Sequence, residues 1–271
     1  MRITDLTEEF MDSYLVCLEG WNDEILEAGD HKARWYHSMK DKGLRVKLAI
    51  TENGEAVGLI QYLPVEYSYA EGKGLYAILC IWVHGHKQGV GNHQKKGIGK
   101  ALLMAAEKDV VETGARGMAA WGLSIPVWMR ASWFKKHGYS RADKMGFVGP
   151  ELVWKSFSDD AVSPRWIRQK KKPGKVPGRV TVTCLINGWC PAMNIVCERA
   201  RHASADLGEK VIFQEINTRD RDTFLEWGMN DALYIDGKKI RTGPPPSFKK
   251  LKQIMARKAS RLQGGRTSPD T

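Results

Sequence analysis

The feature that most constrains this chain is Gln94-Lys95-Lys96-Gly97-Ile98-Gly99-Lys100-Ala101. It lies between an apolar run over 75–83 and a helical pattern over 101–111. Strand, glycine-containing turn, then helix start is an anion site in outline. The first-turn N–H groups of a helix have no intrahelical partner, and the helix dipole adds partial positive charge there. Gly97 and Gly99 have no Cβ, so a phosphate can approach the main chain closely. Lys95, Lys96 and Lys100 add charge without demanding tight geometry. A pyrophosphate is the ligand such a turn suits.

Two common nucleotide motifs are excluded. A Walker A loop needs Gly-x-x-x-x-Gly-Lys-Ser/Thr, which does not occur. A dinucleotide site needs Gly-x-Gly-x-x-Gly early in a βαβ unit, and that context is missing. The stretch Gln94-x-x-Gly97-x-Gly99 after an apolar strand instead resembles the acyl-CoA loop of the GNAT family of N-acetyltransferases. Three further segments resemble that family in order: Ala56-Val57-Gly58-Leu59-Ile60 its third strand, Met118-Ala119-Ala120-Trp121 its fifth, and Trp133-Phe134-Lys135-Lys136-His137-Gly138-Tyr139 the segment after its last core helix. The resemblance implies an α/β (α+β) domain over 1–157, a mixed sheet flanked by helices. It implies acetyl-CoA as co-substrate, held by main-chain groups of Ile81 and Val83 and by Gln94, Lys95, Lys96, Gly97, Ile98, Gly99, Lys100 and Ala101.

Composition bounds the rest. The 271 residues suffice for two domains, and 42% hydrophobic content suits globular folding. No apolar run reaches membrane-spanning length. The start Met1-Arg2-Ile3-Thr4-Asp5 lacks an apolar signal core, so a cytoplasmic location is expected. Five cysteines are too few for a disulfide scaffold and suit a reducing compartment. The formal charge of +11 reads as a solvated linker over 170–179 and a basic tail. That reading disfavours nucleic acid as a partner.

Along the first domain, Ile3 opens an edge strand. Phe10, Met11, Tyr14, Leu15 and Leu18 share one helical face that Gly20 ends. A polar helix over 22–39 is closed by Gly43. By resemblance this helical pair walls the acceptor site, with Trp21, Trp35 and Tyr36 as lining candidates; each also reads as a core aromatic. Strands are expected over 46–51, 56–63 and 75–83, the first two joined by the hairpin signal Asn53-Gly54. The insertion 84–93 carries three histidines and three glycines. His84, His86 and His93 have no cysteine or carboxylate beside them, so no metal site is expected. His84 or His86 is a candidate to take the proton of an ammonium, with a solvated loop histidine as the alternative for each. Glu66 is a further guess for a base. A helix is expected from Val127 and the last strands over 147–157. Family members often place a tyrosine where this chain has Phe134, to reprotonate the CoA thiolate. Phenylalanine donates no proton, so Ser132, Ser124 or water takes the role, or turnover is slow. Tyr139 reads as a packing residue.

Residues 158–178 read as a basic Pro/Gly linker, with Trp166 and Ile167 as exceptions that dock on a domain. The pattern then restarts over 179–258: a strand at 180–186, a turn containing Trp189 and Cys190, a helix to about 207, a strand at 211–216, a strand and hairpin at 233–240, and a last helix after Pro246. This order resembles a thioredoxin-like domain of the YoaP type. Met193 stands where the second cysteine of Cys-x-x-Cys would be, and Asp231 near the usual cis-proline. Cys190 still sits at a helix N-terminus, which favours thiolate. Cys197 lies two turns on, about 10 Å along the axis, too far for a disulfide. Cys190 therefore reads as a lone nucleophile, a soft-metal ligand or a relic, and Cys184 as core. Residues 259–271 read as a disordered basic tail. The chain is thus expected to be an acetyl-CoA-dependent N-acetyltransferase acting on a small-molecule or protein amine. The alternative is an acyl-CoA-sensing thiol or metal-handling adaptor using Cys190.

Overall fold

The structure, a computed structural model, describes residues 1–125, 129–147 and 149–264. The chain divides into two compact units: Met1–Trp21 with Tyr36–Ile167, and Asn22–Trp35 with Arg168–Thr271.

The first unit is built on a seven-stranded mixed sheet. In chain order it contains β1 Arg2–Asp5, α1 Met11–Leu15, the end of α2 His31–Met39, β2 Arg45–Ile50, β3 Ala56–Pro64, β4 Ala70–Glu71, β5 Leu75–Val83, α3 Ile98–Glu112, β6 Gly117–Gly122, α4 Ala131–Lys135, β7 Ser140–Lys144, β8 Glu151–Ser156 and β9 Arg165–Trp166. The sheet order is β1-β2-β3-β5-β6-β8-β7, and β4 and β9 form a separate pair. β3 and most of β5 are buried, which is why their sequences are almost continuously apolar. One face is covered by α3 through Ile98, Leu102, Leu103, Ala106 and Val110. Phe10, Tyr14 and Leu18 pack against Leu48, Ile50 and Leu59 in a second cluster. Asp109 ties α3 to the sheet: its carboxylate accepts from Arg45 Nη1 and Lys47 Nζ (3.0 Å each) and from Tyr62 Oη (2.6 Å). Burial alone would raise its pKa, but the bonds from Tyr62 and Lys47 and the nearby positive charges outweigh it. They hold the carboxyl below its ordinary range.

Several local expectations are corrected. The α1 helix ends at Leu15, before Gly20, because Cys17 and Leu18 take positive φ. The stretch expected as one helix over 22–39 is a 3₁₀ turn, Asp23–Ala28, broken at Gly29 (φ 60) from α2. At Asn53-Gly54 only Gly54 takes positive φ. Val127 and Val148 lie outside the described residues; α4 begins at Ala131, and β7 precedes the strands expected over 147–157. β7 was not legible because it is a polar edge strand, Ser-Arg-Ala-Asp-Lys, with no buried face to write a period into the sequence. The stretch read as linker contains β9. There Trp166 and Ile167 are buried, and the Trp166 N–H donates to Asp143 at 3.0 Å.

The second unit contains β10 Val180–Ile186, α5 Pro191–Ala205, β11 Val211–Asn217, α6 Arg221–Trp227, β12 Ala232–Ile235, β13 Lys238–Ile240 and α7 Phe248–Gly264. Its sheet order is β11-β10-β12-β13; β10 and β11 are parallel, and the other two pairings antiparallel. β10, central and wholly buried, packs with α5 and α7 around Val182, Cys184, Val196, Cys197, Leu251 and Met255. The segment Asn22–Trp35 is fastened to α5. Arg199, 8% exposed, bonds Glu27 at 2.6 and 3.0 Å and meets Glu24 at 3.1 Å. His31 Nε2 donates to Glu198 at 2.6 Å. α7 continues through Ser260 to Gly264, with Ala259 buried, so residues 259–264, expected in the tail, are helical. Residues 265–271 lie outside the described residues.

Candidate active site

A fork in the first sheet makes the site. β5 and β6 pair in parallel only from Leu75 and Gly117 to Ile78 and Ala120. Beyond that β6 follows β8, while β5 continues to Val83 beside β3. The Trp121 indole props the fork, its Nε1 donating to the Leu79 carbonyl at 2.9 Å. The far wall depends on Gly122: a Cβ there would lie 2.4 Å from the Ala131 nitrogen. Only glycine lets Leu123 donate to the Met129 carbonyl (2.6 Å) and accept from Ala131 (3.1 Å), which brings Met129, Arg130 and the start of α4 to the fork.

The fork opens into a cleft of about 660 Å³. The N-terminus of α3 faces it. Gly97 caps that helix at φ 80, no side chain caps it, and the first N–H to find the turn's carbonyl is that of Ala101, bonded to Gly97 at 3.1 Å. The N–H groups of Ile98, Gly99 and Lys100 precede it and are the ones a helix leaves without acceptors of its own. A Cβ on Gly97 would meet nothing within 4 Å, so the main chain is open on that side. Lys95 also takes positive φ (63), curling the loop toward the helix start.

Of the residues expected to hold the cofactor, Ile81, Val83, Gln94, Lys95, Gly97, Ile98, Gly99 and Lys100 line this cleft; Lys96 and Ala101 do not. The Val83 carbonyl, expected against pantetheine, accepts from Gln94 Nε2 at 3.3 Å instead. Trp82, His93, Met129, Arg130 and Trp133 also line the cleft and were not singled out as binding groups from the sequence. Trp133 had a legible position, directly before Phe134. Arg130 and Met129 reach the fork only through the Leu123 bridge, which no local pattern announces. Phe134 stands fully buried in the wall, packed on Trp133 and Tyr139 at ring-centroid distances of 5.0 and 5.4 Å. Among the described residues that line the cleft, none carries a side-chain hydroxyl. Ser132 is exposed and outside the lining, and Ser124 is turned toward Glu151 and the Gly149 carbonyl at 3.3 Å. Neither is placed to protonate a thiolate in the cleft. Tyr139 is buried, which pushes its pKa up, and nearby Glu107 adds to the effect.

The histidines separate. His84 is fully buried. Its Nδ1 donates to the Gly91 carbonyl at 2.7 Å, leaving Nε2 as a buried acceptor without a protein partner. Gly89 lies over it, and a Cβ there would be 2.6 Å from Trp21 and 3.3 Å from His84 Nε2. His84 is therefore packed under the insertion and not presented to a substrate. His86 is half-exposed, 3.8 Å from Glu19 Oε2, with its ring 5.0 Å from that of Trp21 and 6.3 Å from that of Trp82. Trp82 Nε1 donates to the other Glu19 oxygen at 3.1 Å. Trp82 thus belongs both to the cleft and to the His86–Glu19 group. His93 donates from Nε2 to the Val90 carbonyl at 2.9 Å. Among the described residues no group of three or more His, Cys, Asp or Glu is placed to hold a metal ion. Glu66 is exposed in a turn, accepting from the Gly74 N–H at 3.4 Å. Trp35 is buried and counts with the second unit; Tyr36 packs on Tyr14 at 5.7 Å.

In the second unit Cys190 is the N-cap of α5, half-buried and not in a disulfide. Cys197 faces the core beside Cys184, both as free thiols; that neighbour and burial raise the Cys184 thiol pKa. Asp231, next to β12, is half-buried and accepts from the Asn187 N–H at 2.9 Å.

Residues 3–124 match the profile of the acetyltransferase (GNAT) family. No curated protein matches the chain. Solved structures similar to it include the Escherichia coli GNAT family N-acetyltransferase YhbS in complex with CoA (11% identity, 61% of this chain and 88% of that one, TM-score 0.43). An Enterococcus faecium aminoglycoside 6'-N-acetyltransferase shares 16% identity over 60% of this chain and 100% of its own, with TM-score 0.43. A Brucella melitensis GNAT family acetyltransferase in complex with acetyl-CoA shares 16% over 60% and 91%, with TM-score 0.42. Among the described residues no helix is long and apolar enough to cross a membrane.

Proposed function

We propose, for a chain whose residues 3–124 match the GNAT acetyltransferase family, direct acetyl transfer from acetyl-CoA to an amine in the β5/β6 fork. The observation that carries this reading is the open N-terminus of α3, which with Gln94 and Lys95 of the preceding loop lines a cleft cut along the edge of β5 that β6 leaves. The pyrophosphate meets the N–H groups of Ile98, Gly99 and Lys100, with Lys95 and Lys100 supplying countercharge. The pantetheine arm lies along Ile81 to Val83. Gln94 is already bonded to Val83, which holds the loop against the strand.

The acceptor arrives as an ammonium and loses one proton to His86, which Glu19 faces. The free amine attacks the thioester carbon. The C–N bond forms, the C–S bond breaks, and the nitrogen releases its second proton to solvent. CoA leaves as thiolate. With phenylalanine at 134, solvent protonates that sulfur, a fair leaving group given a thiol pKa of about 8.5. The test is amine-dependent release of CoA thiol by the full chain. His86→Ala should lower kcat about 100-fold, with partial recovery on adding imidazole, while acetyl-CoA affinity stays constant. Undiminished turnover in that variant would remove His86 from the reaction. No thiol release with any amine would reject the enzymatic reading.

The second unit supports a thioredoxin-like assignment of YoaP type: β-α-β-α-β-β-α in chain order with the first strand central beside the second and third. A second reading, an acyl-CoA-sensing adaptor, is favoured by the absence of a hydroxyl in the cleft and by Cys190 at the start of α5. Selective alkylation of Cys190 separates the two: acetyl transfer persists through it if the unit is an accessory.

A further inference from the structure

The chain's positive charge has one address. Residues 1–167 carry 21 Lys and Arg against 21 Asp and Glu, and residues 168–271 carry 21 against 10, so the whole excess of +11 lies in the second stretch. From sequence this charge reads as a solvated linker and tail. The strand register gathers it instead. Val180 pairs with Val211 in parallel, so Arg179 and Lys210, one residue before each, stand side by side at one end of the sheet. The β12–β13 turn reaches the same end. Asp236 donates its N–H to the Thr181 carbonyl (2.7 Å), and Thr181 donates to Asp236 Oδ1 (2.9 Å), which brings Lys238 there. The strap before β10 crosses that turn. A Cβ on Gly237 would lie 3.2 Å from the Pro173 carbonyl and 4.0 Å from Lys175 Cε. α7 closes the set, because Lys258 Nζ bonds Asp236 Oδ2 at 2.8 Å and Arg257 and Arg261 share its outer turns.

Lys175, Arg179, Lys210, Lys238, Arg257 and Arg261 are all exposed. Asp236 is already engaged at both oxygens, and Glu209, exposed beside Lys210, offsets one charge of the set. Six cations from four separate chain segments, brought to one end by sheet register, are not a linker run.

We propose that this end of the second unit is a binding surface for double-stranded nucleic acid, read through its phosphates and not its bases. Three observations select that partner among polyanions. The set contains Lys and Arg of both reach, which suits a row of regularly spaced phosphates. It contains no aromatic side chain on which unpaired bases could stack, which argues for duplex over single strand. Its apolar flank is slight: Leu262, next to Arg261, is the single exposed large hydrophobic side chain described between 168 and 264, too little to anchor a surface in a lipid headgroup layer.

The experiment uses the full chain and fluorescently labelled 20-base-pair duplexes of two unrelated sequences, with anisotropy read from 50 to 200 mM salt. Five or six phosphate contacts give a log–log salt slope of about −5, the same for both sequences, and a loss of affinity of about 1,000-fold over that range. Lys175→Gln, Lys238→Gln and Arg257→Gln together should flatten the slope by about 2.7. The control triple Lys40→Gln, Lys73→Gln and Lys108→Gln removes equal charge from exposed positions of the first unit and should leave the slope in place. The proposal is overturned if both triples flatten it equally, since net charge alone would then explain binding. It is also overturned if no duplex is retained at 50 mM salt. Equal competition by poly-glutamate, or tighter binding to vesicles containing phosphatidylserine, would overturn it in favour of another partner.

Discussion

Gly97 allows the anion site to be tested apart from the fold. It caps α3 at φ 80, and an added Cβ would touch nothing within 4 Å. Gly97→Ala therefore introduces backbone strain without a clash. Left-handed geometry costs an L-residue roughly 1–2 kcal/mol, so the melting temperature should fall by about 2–8 °C. Acetyl-CoA affinity should hardly change, because the N–H groups of Ile98, Gly99 and Lys100 stay where they are. Gly97→Glu carries the same strain and adds a negative charge beside the proposed pyrophosphate. At 4–8 Å and an effective dielectric of 20, two unit charges repel by about 2–4 kcal/mol, or roughly 30- to 1,000-fold in Kd. Isothermal titration with acetyl-CoA reads the difference between the two variants, and thermal unfolding reads what they share. Wild-type protein at a hundred times its Kd should gain about 2.7 kcal/mol from the ligand. If Gly97→Ala weakens binding as much as Gly97→Glu, the loop acts through its conformation and the electrostatic argument is wrong. If Gly97→Glu binds within twofold of wild type, the phosphates lie elsewhere.

Three other substitutions follow from the same geometry. Phe134→Tyr puts a hydroxyl into a cleft wall that has none, and should raise kcat up to about 100-fold if thiolate protonation limits turnover; an unchanged kcat would show that it does not. Burial pushes the Asp231 carboxyl up to about 6, against the pull of the Asn187 N–H and the His31 charge. Its cost to the fold is absent near pH 4 and develops as pH rises toward 6, so Asp231→Asn should be more stable than wild type by about 3 kcal/mol at pH 7.5 and lose that advantage at pH 4, measured by urea unfolding at both. Asp109 has the opposite sign: its carboxyl is held low, so its contribution is present above the ordinary carboxylate range and fades as pH falls. Asp109→Asn should cost about 2–4 kcal/mol at pH 7 and progressively less in acid, a difference that thermal melts across pH would reveal.

What the sequence made legible were features whose cause is local. The apolar runs of β3, β5 and β10 are written in consecutive residues, because each strand is buried on both faces. The Gly97 turn is legible because it needs positive φ and an open main chain within four residues. The edge strand β7 and the two-residue β9 have no such signature: β7 is polar and is held by its pairing with β8, and β9 is made by β4, far along the chain. The same holds for the cleft. Ile81 to Lys100 lie on one continuous stretch and could be read, whereas Arg130 reaches the cleft through a bridge from Leu123 that depends on Gly122 having no side chain.

The histidines of the insertion show why residue type alone could not assign roles. His84 and His86 are two positions apart, and in sequence they are equivalent candidates. Their separation is decided by Gly89, whose backbone closes over Trp21 and His84, and by Glu19, a residue 67 positions before His86 in the chain. A base must be able to reach the proton it takes, so packing had to be known before the chemistry could be placed. Charge obeyed the same logic in the second unit. Lys175, Lys210 and Arg257 lie in separate segments, and only the pairing of Val180 with Val211, of Asp236 with Thr181 and of Lys258 with Asp236 makes them neighbours. A linker run loses its effect with each residue of slack, whereas cations fixed by strand register act on one ligand together, and the salt slope of the full chain measures that difference.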